Sequence, residues 1–95
     1  MAAYVIAEIE VTDQATYDDY RKQVAATVTK YGGRFIIRGG KVETLEGDWA
    51  SKRIIALEFP SLQHAQQWYR SDEYAPLIGL RQKATRGKLI LVEGA

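Results

Sequence analysis

Apolar and polar residues alternate along four segments of the chain, and each segment predicts a β-strand. The four segments are residues 4–11, 34–38, 53–59 and 88–93. A shorter segment, 41–46, follows the pair Gly39-Gly40 and predicts one more short strand beyond a turn or bulge. The wholly apolar strand faces carry Val5, Ala7, Ile9, Val11, Phe35, Ile37, Ile55, Leu57, Phe59, Leu89 and Leu91. We expect this set to be the buried side of one sheet.

A long helix is predicted between the first two strands. It begins after Asp13, a typical N-cap residue, and ends at Gly32-Gly33, which can take the backbone angles of a helix C-terminus. Between these limits, apolar and aromatic residues recur at steps of three and four. They are Tyr17, Tyr20, Val24, Val28 and Tyr31. We interpret the tyrosines as core residues whose hydroxyls reach outward to water.

A second helix is predicted to begin after Ser61, which is again a suitable N-cap residue. Its buried side consists of Leu62, Ala65, Trp68 and Tyr69. The pair Ser71-Asp72 interrupts it, and another helical piece follows from Tyr74. Pro76 fits only in the first turn of that piece, because proline lacks the amide proton that a helix interior uses. Gly87 is expected to end it.

The order of these elements is β-α-β-β-α-β, which predicts an α+β fold of the ferredoxin-like type. Such a fold has one antiparallel sheet with both helical segments on one side. With 95 residues, the chain is expected to form a single domain over residues 1–95.

Charge and composition exclude several classes of function. The 13 basic and 12 acidic residues give a net charge of +1, so a binding surface for nucleic acid or an anionic membrane is not expected. The absence of cysteine excludes disulfides, a thiolate nucleophile and a zinc–thiolate site. No apolar stretch approaches the roughly 20 residues of a membrane span. We therefore expect a cytoplasmic protein.

The second face of the sheet is unusually apolar. A sheet face in water normally carries polar residues, but this one contains Ile6, Ile36, Ile54, Ala56, Ile90 and Val92. At roughly 25 cal/mol per Å² of apolar surface, leaving this face in water forgoes several kcal/mol. No part of the chain remains to cover it, so the face predicts a homodimer in which two sheets pack together.

The same face is predicted to carry charged residues beside one another. In the usual strand order of this fold, Glu8 and Glu58 become neighbours and Arg38 lies next to Glu58. Two adjacent carboxylates suit acid–base chemistry, whereas an arginine beside a carboxylate suits an ion pair. The sequence leaves both interpretations open.

Other candidate sites carry weaker signals. His64 is the only histidine and is expected to be a solvated helix residue, so neither a Ser-His-Asp triad nor a metal site is predicted. The glycine pairs match no phosphate-binding motif. Trp68, Tyr69 and Tyr74 form an aromatic cluster at the helix break, which is interpreted either as core packing or as one wall of an apolar ligand pocket.

Several segments together resemble the domain-of-unknown-function family thirteen-thirty. They are Tyr31-Gly32-Gly33-Arg34-Phe35-Ile36-Ile37-Arg38-Gly39-Gly40, Leu45-Glu46-Gly47, Glu58-Phe59-Pro60-Ser61, Trp68-Tyr69-Arg70-Ser71, Tyr74 and Arg81. The resemblance implies the dimeric α+β barrel superfamily, which also includes cofactor-independent monooxygenases. It implies no particular reaction. Haem-binding branches of the superfamily usually supply a histidine ligand, and with only His64 available no cofactor is expected.

Two functions are consistent with these observations. In the first, each subunit binds, with or without turning it over, a small acidic or aromatic organic molecule. Its ligand-binding residues are then Arg38, Glu58, Trp68, Tyr69 and Tyr74. In the second, the protein is a non-catalytic structural or ligand-sensing dimer, and Arg38 and Glu58 only stabilise the barrel.

Overall fold

The computed structural model describes residues 1–50 and 52–95 of the chain. Its elements are β1 (Ala3–Val11), α1 (Gln14–Lys30), β2 (Arg34–Arg38), β3 (Ile54–Phe59), α2 (Leu62–Tyr69), α3 (Ala75–Ala84) and β4 (Thr85–Glu93). The four strands form one antiparallel sheet in the order β2-β3-β1-β4. This arrangement confirms the predicted ferredoxin-like α+β fold, with α2 and α3 as the two pieces of the second crossover.

The core lies between one face of the sheet and the helices. The sheet contributes the predicted apolar positions of β1 and β3, and α1 contributes four residues of its predicted stripe. The largest fully buried side chains are Trp68, Tyr74, Phe59 and Val28. We call this side of the sheet the inner face and the opposite side the outer face.

The helix termini follow the predicted local chemistry. The Asp13 side chain accepts a hydrogen bond from the Thr16 amide at the start of α1, at 3.2 Å. Ser61 Oγ accepts one from the His64 amide at the start of α2, at 3.1 Å. Pro76 lies in the first turn of α3, where its missing amide proton costs no hydrogen bond. All three predicted positions are confirmed.

Strand β2 contains a β-bulge at Ile36. Phe35 pairs with Leu57 of β3, but the next residue to pair is Ile37, which lies opposite Ala56. One extra residue in a strand reverses the alternation of the side chains that follow it. Ile37, which was predicted to lie under the helices, is therefore on the outer face, and it is 46% exposed.

The same bulge brings Arg38 to the inner face. Arg38 pairs with Ile55, a residue of the apolar inner face, and not with Glu58. The predicted neighbourhood of Arg38 and Glu58 is therefore wrong. Gly39 follows with a φ of 75°, a left-handed conformation that glycine adopts without a steric penalty, so the predicted turn at this position is confirmed.

Two predicted boundaries are also wrong. Residues 41–46 form no strand and belong to the long connection between β2 and β3. Gly87 does not end α3, because the chain passes from Ala84 directly into extended backbone at Thr85. Gly87 instead lies within β4, where a Cβ atom would lie 2.2 Å from the backbone oxygen of Glu8. Close packing of two strands therefore explains this glycine.

The outer face presents exposed apolar side chains, as predicted. Ile37, Ile90 and Val92, with the bulge residue Ile36, are between 41% and 57% exposed. Ile6 and Ile54 are half-buried. Within the described residues, no helix is long and apolar enough to cross a membrane.

Candidate functional site

A narrow cavity lies between the inner face of the sheet and the three helices. Its free volume is about 40 Å³. All four strands contribute apolar wall residues, among them Val5, Phe35, Leu57 and Leu89, and the helices contribute aromatic rings. The charged residues that line it are Arg21, Arg38 and Arg81, and no aspartate or glutamate is among its lining residues.

Three polar side chains of the cavity wall lie within hydrogen-bonding distance of one another. Nη1 of Arg81 donates a hydrogen bond of 2.9 Å to the hydroxyl of Tyr74, two helical turns earlier. The Tyr74 hydroxyl lies 2.8 Å from the hydroxyl of Tyr20 on α1. All three residues are at least 91% buried. The hydroxyl of Tyr20 therefore reaches into the protein, and the prediction that it reaches outward to water is wrong.

Burial and the neighbouring groups shift the acidity of these three side chains. Burial, followed by the adjacent Tyr74, raises the pKa of Tyr20 far above its usual value. Burial also raises the pKa of Tyr74, although the hydrogen bond with Tyr20 and the charge of Arg81 oppose the increase. Burial alone lowers the pKa of Arg81, but Tyr74, Tyr20 and the hydrogen bond with Tyr69 together outweigh this effect and raise it. The cluster therefore consists of two neutral phenols and one guanidinium cation.

The predicted aromatic cluster at the helix break forms, but its members occupy two sites. The rings of Trp68 and Tyr74 are 4.1 Å apart, centre to centre, and both line the cavity. Tyr69 lies 5.9 Å from Tyr74 but is 40% exposed and lines grooves outside the cavity. Nε1 of Trp68 donates a hydrogen bond of 3.0 Å to Thr27 Oγ1, which fixes the indole ring.

Arg38 lies at the opening of the cavity. Its guanidinium carbon is 4.0 Å from the centre of the Phe35 ring, a cation–π contact that holds the side chain over the cavity wall. Arg38 and Arg21 line both the cavity and an external groove that also contains Asp18 and Lys22. The two arginines therefore connect the cavity with the surface between α1 and the end of β2.

Glu58 lies on the outer face, away from the cavity. Its carboxylate accepts a hydrogen bond of 2.8 Å from Nε of Arg34, which pairs with it across β2 and β3, and one of 3.3 Å from the Tyr4 hydroxyl. Glu8 lies opposite Ile54, not opposite Glu58, and its carboxylate accepts a hydrogen bond from Trp49 Nε1. The predicted pair of carboxylates does not form, and Glu58 belongs to a surface ion pair.

His64 lies on the exposed side of α2, as expected from its surroundings in the sequence. Its Nδ1 is 2.7 Å from Ser61 Oγ, so it takes part in the N-terminal cap of the helix. No cluster of three or more potential metal ligands occurs in the described part of the chain.

Of the residues that the sequence proposed for ligand binding, Arg38, Trp68 and Tyr74 line the cavity. Tyr20 and Arg21 also line it and were not proposed, and Arg81 was quoted only as part of a family motif. Tyr20 was assigned to the core because a helical stripe shows which face is buried and not what a hydroxyl contacts. The signal for Arg81 is its position seven residues after Tyr74, which places both on one helix face. A charged residue on an otherwise apolar helix face is unusual, because charged groups are rarely buried.

Nearly the whole chain matches one known protein family. The profile of a family described as a domain of unknown function (DUF1330) matches residues 2–95. The chain belongs to this family. The resemblance inferred from the sequence motifs is thus confirmed. No curated protein matches the DUF1330 chain.

Solved structures share the fold of the DUF1330 chain. RPA0582 of Rhodopseudomonas palustris, a protein of unknown function, superposes with a TM-score of 0.79 at 17% identity, over 99% of this chain and 82% of its own. SnoaB of Streptomyces nogalater, a cofactor-independent oxygenase, gives 0.66 at 10% identity, over 99% and 93%. An antibiotic biosynthesis monooxygenase gives 0.58 at 10% identity, over 100% and 99%. At these identities, the likenesses show that the α+β fold is shared.

Proposed function

We propose that the DUF1330 chain binds a small organic molecule, acidic or aromatic, in the cavity between its inner sheet face and its helices, without a cofactor. The observation that carries this proposal is the composition of the cavity wall. Apolar and aromatic side chains surround it, and the charged residues that line it are three arginines without a carboxylate. A mostly apolar site with a few fixed polar groups is typical of sites for small molecules.

The chemistry of the wall favours a flat, electron-rich or anionic ligand. The rings of Trp68 and Tyr74 offer a stacking surface, and the planar guanidinium of Arg38 offers two parallel donors to a carboxylate or enolate at the opening. Arg38, Trp68 and Tyr74 are therefore retained as ligand-binding residues. Glu58 and Tyr69 are not part of this cavity.

Turnover of the bound molecule is an extension of this proposal. Two structural neighbours, SnoaB and an antibiotic biosynthesis monooxygenase, carry names that denote oxygenation of organic substrates. The cavity holds neutral phenols beside a cation, and this arrangement supports the same kind of chemistry, because such groups stabilise negative charge that develops on oxygen.

The functional unit in this proposal is a homodimer. The outer face exposes Ile37, Ile90 and Val92 with Ile36 beside them, and each exposed aliphatic side chain loses favourable free energy in water. A second copy of the sheet supplies a matching apolar surface. Because the cavity lies on the inner face, each subunit keeps its own cavity.

A non-catalytic, structural or ligand-sensing dimer is the second candidate. It is supported by the free volume of about 40 Å³, which is far below the roughly 300–1,000 Å³ of sites for drug-sized ligands. Chemical analysis separates turnover from binding alone. A molecule that binds and is recovered unchanged by mass spectrometry after long incubation in air supports binding or sensing without turnover, and a new product supports turnover.

The test of ligand binding uses the two tryptophans of the chain. Trp68 lines the cavity and is 1% exposed, whereas Trp49 is 62% exposed in the connection between β2 and β3. In the variant Trp49→Phe, Trp68 is the only indole left, so its fluorescence reports on the cavity. A thermal-shift screen of small acids and aromatics first identifies molecules that raise Tm, as any ligand of the native state must.

The expected result is that molecules which raise Tm also change the fluorescence of Trp68 in this variant, with the same Kd by both methods. A rise in Tm without a change in fluorescence places the ligand elsewhere and contradicts the proposed site. A screen in which no acid or aromatic molecule raises Tm contradicts the proposed function.

A further inference from the structure

Arg81 is a buried cation that lacks an acidic partner. Arg81 is only 9% exposed, and no carboxylate in residues 1–50 or 52–95 forms an ion pair with it. Its side-chain hydrogen-bond partners are Tyr74 and Tyr69, and Tyr20 lies beside it. Burying a charge without an opposite charge is costly, and proteins normally pair or neutralise such groups.

The two phenols next to Arg81 do not supply the missing negative charge, because burial keeps both neutral. The two hydroxyls also carry one proton more than the hydrogen bond between them requires. Each hydroxyl carries one proton, and the single hydrogen bond between Tyr20 and Tyr74 consumes one of the two. Arg81 cannot accept the other, since a guanidinium only donates. One phenolic proton therefore has no acceptor within this pair.

The external groove beside Arg81 does not supply a negative charge either. Arg81 also lines an external groove, together with Gln82, Thr85 and Lys88, and no acidic residue lines that groove. The groove and the cavity share Ile9 and Leu89 as well. An anion that reaches Arg81 from either side therefore meets donors and no competing carboxylate.

We infer that Arg81, Tyr74 and Tyr20 form a receptor for one anionic oxygen of the ligand, such as that of a carboxylate, enolate or phenolate. The inference rests on the proposed function and narrows its ligand from an organic molecule, acidic or aromatic, to one that carries a negative oxygen. The guanidinium supplies the charge, and the remaining phenolic proton supplies a directed hydrogen bond. Trp68 and the apolar wall then hold the carbon skeleton.

The first experiment compares two probes of nearly equal shape, benzoate and benzamide, by Tm and by the fluorescence of Trp68 in the Trp49→Phe protein. Benzoate carries the negative oxygens, and benzamide replaces one of them with a donor group. We expect benzoate to bind at least about 10-fold more tightly, as charge-assisted hydrogen bonds to a buried cation imply. Equal binding of the two probes, including binding of neither, overturns the inference.

The second experiment removes the donors one at a time, with a matched control. Tyr20→Phe removes a phenol of the receptor, whereas Tyr31→Phe removes a phenol at the C-terminal end of the same helix that lies outside the cavity and hydrogen-bonds Glu73. We expect Tyr20→Phe to weaken benzoate binding about 3- to 10-fold and Tyr31→Phe to leave it unchanged. Equal effects of the two substitutions overturn the inference.

Stability of the ligand-free protein separates a receptor from a structural role of Arg81. In Arg81→Met the unpaired charge is gone, so we expect an unchanged or higher Tm without ligand and at least about 10-fold weaker benzoate binding. A lower Tm with benzoate binding retained shows that Arg81 only supports the fold and contradicts the inference. If neutral aromatics bind in the cavity as well as benzoate, the proposed function stands and this inference alone fails.

Discussion

The guanidinium of Arg38 lies over the ring of Phe35, with 4.0 Å between the guanidinium carbon and the ring centre. The two residues are three apart in β2, yet both belong to the inner face, because the bulge at Ile36 shifts the alternation between them. The contact holds a cation in the wall of the cavity, beside the site proposed for an acidic ligand. It therefore links a local irregularity of one strand to the proposed binding site.

This contact gives the first prediction, for Arg38→Lys. Lysine keeps the charge but lacks the planar fork that contacts a carboxylate with two parallel hydrogen bonds and stacks on a ring. We expect the substitution to weaken the binding of any acid found in the screen by at least ~1 kcal/mol, as measured by titration calorimetry. Arg34→Lys is the matched control, because Arg34 belongs to the same strand but pairs with Glu58 on the outer face. Unchanged affinity in Arg38→Lys removes Arg38 from the site.

The second prediction concerns the outer face. In a single chain Ile90 is 57% exposed, so Ile90→Asp costs a monomer little, whereas in a sheet-to-sheet dimer it buries an unpaired charge. We expect light scattering to give twice the chain mass for the original protein and the single mass, or a much weaker dimer, for Ile90→Asp. Gln63→Asp, on the exposed side of α2, serves as the control. A single mass for the original protein at micromolar concentration contradicts the dimer.

The third prediction is a dependence of stability on pH that comes from Glu73. Hydrogen bonds from Lys30 and then from Tyr31 lower the pKa of Glu73 from 4.5 to about 2. Since the folded protein favours the ionised form, this carboxylate contributes stability above its unfolded pKa and loses it as the pH falls from about 4.5 to about 2. We expect Glu73→Gln to reduce the loss of Tm across this acidic window while lowering Tm at neutral pH. A parallel pair of curves for the two proteins contradicts this role.

The fourth prediction compares two glycines. A Cβ atom on Gly87 would lie 2.2 Å from a backbone oxygen of β1, so Gly87→Ala forces the strands apart and is expected to lower the free energy of unfolding by about 1–3 kcal/mol. A Cβ atom on Gly79, inside α3, meets nothing within 4 Å. Gly79→Ala is therefore expected to stabilise the protein by about 0.5–1 kcal/mol. Urea unfolding measures both changes, and a stabilising Gly87→Ala would show that the strands can separate without cost.

The sequence by itself determined the fold and most of the elements that build it. Apolar alternation located β1, β3 and the inner face, and helical spacing located α1 and α2 with their capping residues Asp13 and Ser61. These features follow from local preferences and from a periodicity that each segment carries along its own length. The apolar residues of the outer face and the family motif can likewise be recognised from the sequence alone.

The tertiary structure alone decided which polar side chains meet. A single extra residue at Ile36 placed Arg38 on the inner face, so that Glu58 pairs with Arg34 instead. The periodicity of a five-residue strand does not reveal a bulge before its partner strand is known. The contact between Tyr20 and Tyr74 joins residues 54 positions apart, one on α1 and the other at the N-cap of α3. A stripe of apolar residues shows that both are buried, but the direction of a hydroxyl, and the cation that Arg81 places beside it, depend on how the helices pack.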